Sequence, residues 1–181
     1  MAMTLAMVLA LVAPVAAEDP RVVFDVDPRR CAVEPRSLDE LERILAVGTP
    51  QPPARTAPGT PISAGSETGH AVSATIEMLV SCLNAGDRLR AYALYTDAYL
   101  ATILRPGDLP EVATPYPADT DEYTDILAIE PRQVAEDRVI AKVTLDPALI
   151  PVDKIFEFIL IPVDGEWRID GVINEIDFSL P

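Results

Sequence analysis

The stretch KIFEFILIPVDGEWRIDGVI, residues 154–173, constrains the fold more than any other part of the chain. Asp164-Gly165 lies between two apolar runs, and that dipeptide is a strong signal for a two-residue hairpin turn, whose central positions need positive φ. So short a turn also sets the register, with Val163 opposite Glu166 and each further pair counted outward from there. Leu160 is then expected to face Ile169, Phe158 to face Gly171, and Phe156 to face Ile173. One side of the hairpin becomes Phe156, Phe158, Leu160, Trp167, Ile169 and Ile173. The other becomes Ile155, Glu157, Ile159, Ile161, Arg168, Asp170, Val172 and Asn174. The first side is wholly apolar and must be covered by helices. The second mixes isoleucines and valine with charge, too much apolar surface for a face meant only for water.

Two further β runs, TDILAIEPRQV and RVIAKVTL, precede the hairpin from residue 123 onward. Upstream of them the period changes to that of helices. Val72, Ile76, Leu79, Val80 and Leu83 recur at helical spacing, with Ser73, Glu77 and Ser81 on the opposite side. Asn84-Ala85-Gly86 ends that helix, with Gly86 suited to a left-handed terminating conformation. Asp87 can cap the next helix at once. Leu89, Ala93 and Leu94 pack inward from it, and Thr96 or Asp97 can cap a third short turn over 97–104. Arg105-Pro106-Gly107 stops that turn, and the Pro-rich, acidic stretch 105–122 reads as an irregular loop.

The front of the chain has a different character. Residues 1–17, MAMTLAMVLALVAPVAA, carry no charge and end in small residues, the form of a signal peptide cleaved after Ala17. Residues 18–46 follow as an extension, in which Ser37 and Glu40 form a capping box before a short helix over 38–46. Residues 47–70 are rich in Pro, Gly, Ser and Thr without periodicity, the composition of a linker. The main domain is placed at 71–176, with a tail at 177–181. The net charge is −15, so the surface repels nucleic acid and anionic lipid, and no stable membrane insertion is expected once the leader is gone. Cys31 and Cys82 are the only cysteines. An even pair far apart in an exported chain suggests one disulfide, which would tie the front segment across the linker; two buried thiols or a metal pair are the alternatives. A metal site is disfavoured because His70 is the only histidine and no CxxC occurs.

A helix pair broken by Asn84-Ala85-Gly86-Asp87, then ALYTDAYL (93–100), then antiparallel strands closing with DGEWRIDGV (164–172), resembles the NTF2-like (SnoaL-like) superfamily. The resemblance covers roughly residues 71–176. It implies an α+β cone: N-terminal helices packed in the concave face of a curved antiparallel sheet, with a pocket between the two layers. It also implies, for many members, a homodimer formed through the sheets. Catalytic members such as ketosteroid isomerases and limonene epoxide hydrolase use carboxylates and tyrosines inside the cone. There burial raises a carboxylate's pKa toward working pH and makes it a general base.

On the register above, Glu157 and Asp170 fall on the outer face, and the usual base positions are empty. The expected function is therefore that of an exported noncatalytic domain without cofactor or metal, working in one of two ways. It binds a small apolar ligand in a pocket lined by Leu79, Tyr95, Tyr99, Phe156, Phe158, Leu160 and Trp167, or it acts as an interaction module. Ile155, Ile159, Ile161 and Val172 are the expected dimer interface. The alternative is a small-molecule isomerase or hydrolase with Asp125 as general base, on a strand face shared with Tyr123, Leu127 and Ile129 and near Tyr95, Asp97 or Tyr99. A third reading makes the chain a structural partner of another envelope protein, with the linker and front segment in contact. Asp119, Asp121 and Glu122 could offer oxygens to calcium, but the spacing lacks the Gly and distal Glu of a known loop, and a solvated acidic turn is the simpler reading.

Overall fold

The Asp164-Gly165 turn forms as its sequence dictates, with φ of 52° and 85°, and joins β4 (Lys154–Val163) to β5 (Glu166–Glu175). A computed structural model describes residues 24, 26–48, 58–115, 123–147 and 154–175. The leader, residues 49–57 of the expected linker, the acids at 119, 121 and 122, and the tail lie outside the described residues. Nothing lies within 4 Å of a Cβ built on Gly165, so Gly165→Ala would strain the backbone alone. Its expected cost is about 1 kcal/mol in chemical denaturation.

The chain is α+β, with helices packed against one face of a five-stranded antiparallel sheet in the order β1-β2-β3-β4-β5. The other strands are β1 (Thr60–Pro61), β2 (Thr124–Ala135) and β3 (Arg138–Pro147). The helices are α1 (Leu38–Val47), α2 (Glu67–Asn84), α3 (Arg88–Ala93), α4 (Asp97–Ile103) and α5 (Leu109–Val112). Helix boundaries follow capping chemistry. The side chains of Ser37, Ser66, Asp87 and Thr96 each accept a backbone N–H from the first turn that follows, and Gly86 takes φ of 65° after α2.

α2 starts earlier than the domain boundary expected at residue 71. Ser66 caps it, so Glu67–His70 are helical rather than linker, and His70 sits exposed on that helix. A Cβ on Gly69 would stand 2.2 Å from the Ser63 carbonyl oxygen, so this close approach of two backbones needs a glycine. Just upstream, Thr60 and Pro61 pair with Gln133 and Arg132 at the edge of β2, drawing the end of the linker onto the sheet. Two apolar cores result. The main one lies between α2 (Val72, Ile76, Leu79, Val80) and the inward residues of β3, β4 and β5. The second is built by α1 (Leu41, Ile44), by Leu100 and Leu104 at α4, and by Leu109 and Val112 of α5. The expected irregular loop after residue 105 is thus partly helical, because Leu109 and Val112 complete this second core.

The expected hairpin register holds only near the turn. Ile161 pairs with Arg168 and Leu160 with Ile169, but then a bulge intervenes and Ile159 pairs with Gly171 and Phe158 with Val172. Asp170 is the extra residue. One inserted residue turns everything beyond it to the opposite side of a strand. Val172 therefore packs against the main core, whereas Ile173, opposite Glu157, lies on the outer face. The expected pairings of Phe158 with Gly171 and Phe156 with Ile173 are corrected accordingly. A signal was present: a glycine inside a strand marks a bulge or a close approach. The Ile159 Cδ1 methyl lies 3.1 Å from where a Gly171 Cβ would stand.

Candidate functional site

The stretch from Ala93 to Asp97 is where the two cores, the sheet and the front segment meet. Leu94–Thr96 runs along the free edge of β5, with Ile169 N–H donating to Leu94 O (2.8 Å) and Thr96 N–H to Ile169 O (2.9 Å). Thr96 Oγ1 accepts from Tyr99 N–H (3.2 Å) as the α4 cap and donates to Asp170 Oδ1 (2.7 Å). The bulge thus finds its partner: it delivers the Asp170 carboxylate to the helix cap. Both groups serve structure here: the hydroxyl oxygen accepts the first-turn N–H that starts α4, and its proton fixes the Asp170 carboxylate.

The last carbonyls of α3, like those of any helix, are only partly satisfied locally, Tyr92 O accepting from Tyr95 N–H (3.2 Å), and need partners from elsewhere. Two arginines supply them. Arg36 donates from Nε to Tyr92 O (3.1 Å) and from Nη2 to Tyr95 O (3.0 Å), and Arg168 donates from Nη1 to Ala93 O. Arg36 also pairs with Asp97 (2.8 Å) and Glu40 (3.3 Å), while Arg168 pairs with Glu166 (2.6 Å). Between them opens a polar cleft of about 560 Å³, bordered by Glu34, Arg36, Tyr95, Asp97, Asp164 and Arg168. The guanidinium donors are largely spent on protein acceptors, so the cleft is first of all a polar joint holding the helical layer to β5. Arg36→Ala would take the donor from Tyr95 O, leave Tyr92 O with the Tyr95 N–H alone, and remove the partner of Asp97. The expected loss is about 2–3 kcal/mol in the unfolding free energy from urea titration.

Tyr95 stands at the centre of an aromatic row, 6.1 Å from Tyr92 in edge-on contact and 5.5 Å from Tyr99 in tilted contact. It touches both cores. Burial pushes its phenol far above the ordinary tyrosine value, so it stays neutral. Tyr99 is also raised by burial, partly offset by a hydrogen bond from the Val172 backbone.

The residues expected to line an apolar pocket are brought together, but as core. Leu79 is 1% exposed, Leu160 0% and Phe158 6%. A void able to hold water would leave accessible area on the side chains around it, so Leu79 and Leu160 border none. Phe156 and Trp167 are half-buried at the margins of the same core, with Phe156 and Phe158 rings 6.2 Å apart. Tyr95 borders the polar cleft instead.

Asp125 does not join the tyrosines. Leu127 is skipped between the pairs Ile126–Leu145 and Ala128–Thr144, so Ile126 and Ile129 face the helices while Asp125, opposite Asp146, turns away. Asp125 is exposed and borders a separate shallow cleft with Phe24, Val26 and Tyr123. Two strands lie between it and β5. At about 4.8 Å per strand that is a separation of roughly 14 Å, and the grouping with Tyr95, Asp97 and Tyr99 does not form.

Of the four residues expected at a dimer interface, Ile155 and Ile161 are half-buried on the outer face, Ile159 is 1% exposed, and Val172 faces inward. Glu157 lies on that outer face as expected but is 3% exposed and ion-paired with Arg132. Cys31 and Cys82 are joined in a disulfide with Cα atoms 4.7 Å apart. Sequence reasoning missed Arg36 and Arg168, because an arginine that caps a helix from a distant segment carries no local pattern. No group of histidine, cysteine or acidic side chains with metal-binding geometry occurs among the described residues.

No protein-family model matches this chain, and no curated protein does. Among solved structures it is similar to an NTF2-like protein involved in plasmid conjugation, with 10% sequence identity and a TM-score of 0.41. That similarity covers 74% of this chain and 51% of the other, so the chain spans about half the length of that structure.

Proposed function

We propose that this chain is an exported, noncatalytic NTF2-like domain that works as an interaction module, with its outer sheet face as the contact surface. The observation that carries this reading is the packing of Leu79, Phe158 and Leu160 among the described residues. These are three of the side chains that would line a ligand pocket, and they are themselves packed between α2 and the sheet. A small apolar ligand would have to displace packed core, at a cost of the order of several kcal/mol. The disulfide supports a location outside the reducing cytoplasm. The exposed position of Asp125 leaves the isomerase or hydrolase reading without a buried base.

The outer face carries half-buried Ile155, Ile161 and Ile173 around Ile140 and Ile159. It also carries Arg132, Arg138, Lys142 and Arg168 among Asp125, Glu130, Asp146, Glu157 and Glu166, so its charges lie close to balance on a chain of net charge −15. The proposed occupant is a second copy, which meets least like-charge repulsion there. Light scattering at tens of micromolar is expected to give a dimer mass, and Ile161→Asp to give a monomer that keeps its far-UV circular dichroism and whose unfolding midpoint no longer depends on protein concentration. Ile159→Asp is the wrong probe, because that side chain is already buried within one protomer. A monomer for the unaltered protein would overturn the dimer. A thermal shift with small lipophilic compounds that Leu160→Trp abolishes would restore the ligand-pocket reading.

A further inference from the structure

We infer that residues 26–36 form a strap latched over α2 by the Cys31–Cys82 bond, and that thiol–disulfide exchange releases its first half while leaving the rest of the domain folded. The two halves of the strap are held by different means. In the second half, Arg36 grips Tyr92 O and Tyr95 O, its own N–H donates to Leu89 O (3.2 Å), and Arg90 Nε donates to Val33 O (3.0 Å). α1 follows directly and buries Leu41 and Ile44 in the second core. That half is fastened without the covalent bond.

The first half fits less well against α2. Ser81 Oγ is buried beneath it without a hydrogen-bond partner. The Ala32 N–H donates to Met78 Sδ at 3.4 Å, and a thioether is a weak acceptor. A cleft of about 90 Å³ remains between Arg30 of the strap and Ala74, Glu77, Met78 and Ser81 of α2. Water would satisfy Ser81 Oγ and the Ala32 N–H if the strap lifted, so these two groups favour opening and the disulfide opposes it. Val26, buried in the main core with its carbonyl accepting from Asn84 Nδ2 (3.2 Å), is among the noncovalent contacts that must yield.

The two sulfurs are unequally placed. Cys82 is 0% exposed and Cys31 is partly exposed, so an incoming thiolate meets Cys31 first. One thiolate of a dithiol attacks Cys31 Sγ; the Cys31–Cys82 bond breaks and Cys82 leaves as a thiolate that takes a proton from water. The second thiol of the reagent then closes on the mixed disulfide, freeing Cys31 and leaving the reagent as its own cyclic disulfide, with two electrons transferred to the protein. The device makes the domain two-state: strap down when oxidised, and strap up, with the flank of α2 around Met78 uncovered, when reduced.

Amide hydrogen exchange on the full chain, before and after reduction with dithiothreitol, tests this. Protection over 26–32 is expected to fall about tenfold or more on reduction, while α1 and the strands β3–β5 keep theirs. Trypsin is expected to cut after Arg29 or Arg30 faster by a similar factor. Cys31→Ser combined with Cys82→Ser should show the released pattern without reductant. If that variant does not fold, reduction of the folded wild-type chain still decides. Unchanged protection over 26–32 would mean the strap is held by its noncovalent contacts, and simultaneous loss across the sheet would mean the bond staples the whole domain. Either result overturns the latch.

Discussion

Arg132→Ala is expected to destabilise the domain by about 3 kcal/mol, measured as a shift of the urea midpoint at constant m-value. The argument rests on what the substitution leaves behind. Arg132 Nη2 donates to Glu157 Oε1, and the Glu157 side chain is 4% exposed while Arg132 is 26% exposed. Glu157 Oε2 already lacks a partner. Without the guanidinium, a nearly dry carboxylate stays on the outer face of the sheet, and breaking a buried pair costs about 3–5 kcal/mol. Lys142 stands opposite Glu157 on β3 and offsets part of the loss, which places the expectation at the low end. Glu157→Gln should cost less, about 1–2 kcal/mol, because Arg132 is exposed enough to turn toward water. The double change Arg132→Met with Glu157→Leu should return to within about 1 kcal/mol of the parent, since apolar packing replaces a pair whose desolvation nearly cancels its attraction. A double variant as unstable as Arg132→Ala would show that the ion pair itself, and not the stranded charge, is the stabilising element.

Loss of the disulfide has the other large effect. Cys31 and Cys82 are 51 residues apart in sequence, and closing a loop of that size lowers unfolded-chain entropy enough to stabilise the fold by about 4 kcal/mol in the chain-entropy model. Cys31→Ser with Cys82→Ser is expected to lower the unfolding free energy by that amount, and the same drop should follow when the oxidised protein is denatured in the presence of a dithiol. Small domains hold about 5–15 kcal/mol in total, so the reduced protein remains folded at room temperature while losing much of its margin. A change below about 1 kcal/mol would mean that the strap's contacts already restrict the unfolded chain, or that the bond strains the native state.

Much of the fold was legible because its signals are local. Ser37, Asp87, Thr96 and Gly86 each act within one helical turn, and each takes its expected place. The Asp164-Gly165 turn is equally self-contained, and the disulfide followed from counting cysteines. The candidate site was legible only in part. Leu79, Phe158 and Leu160 were correctly read as inward-facing, but whether inward-facing side chains enclose a cavity or fill it depends on how closely α2 approaches the sheet. The regrouping around Asp125 and Val172 turned on one extra residue in each of two strands, Leu127 and Asp170. Alternation read along a single strand cannot show a bulge, because the reason for it lies in a partner far away in sequence. For Asp170 that partner is Thr96.

The sequence by itself determined where helices begin and end, which hairpin turn forms, and that one face of β4 must be covered, because these depend on neighbours within a few residues. Only the tertiary structure decided that Leu79 and Leu160 pack without a void, that Glu157 is buried against Arg132, and that Arg36 and Arg168 hold the end of α3. Those outcomes depend on the distance between layers and on polar groups left unpaired by secondary structure, and both are set when remote segments meet.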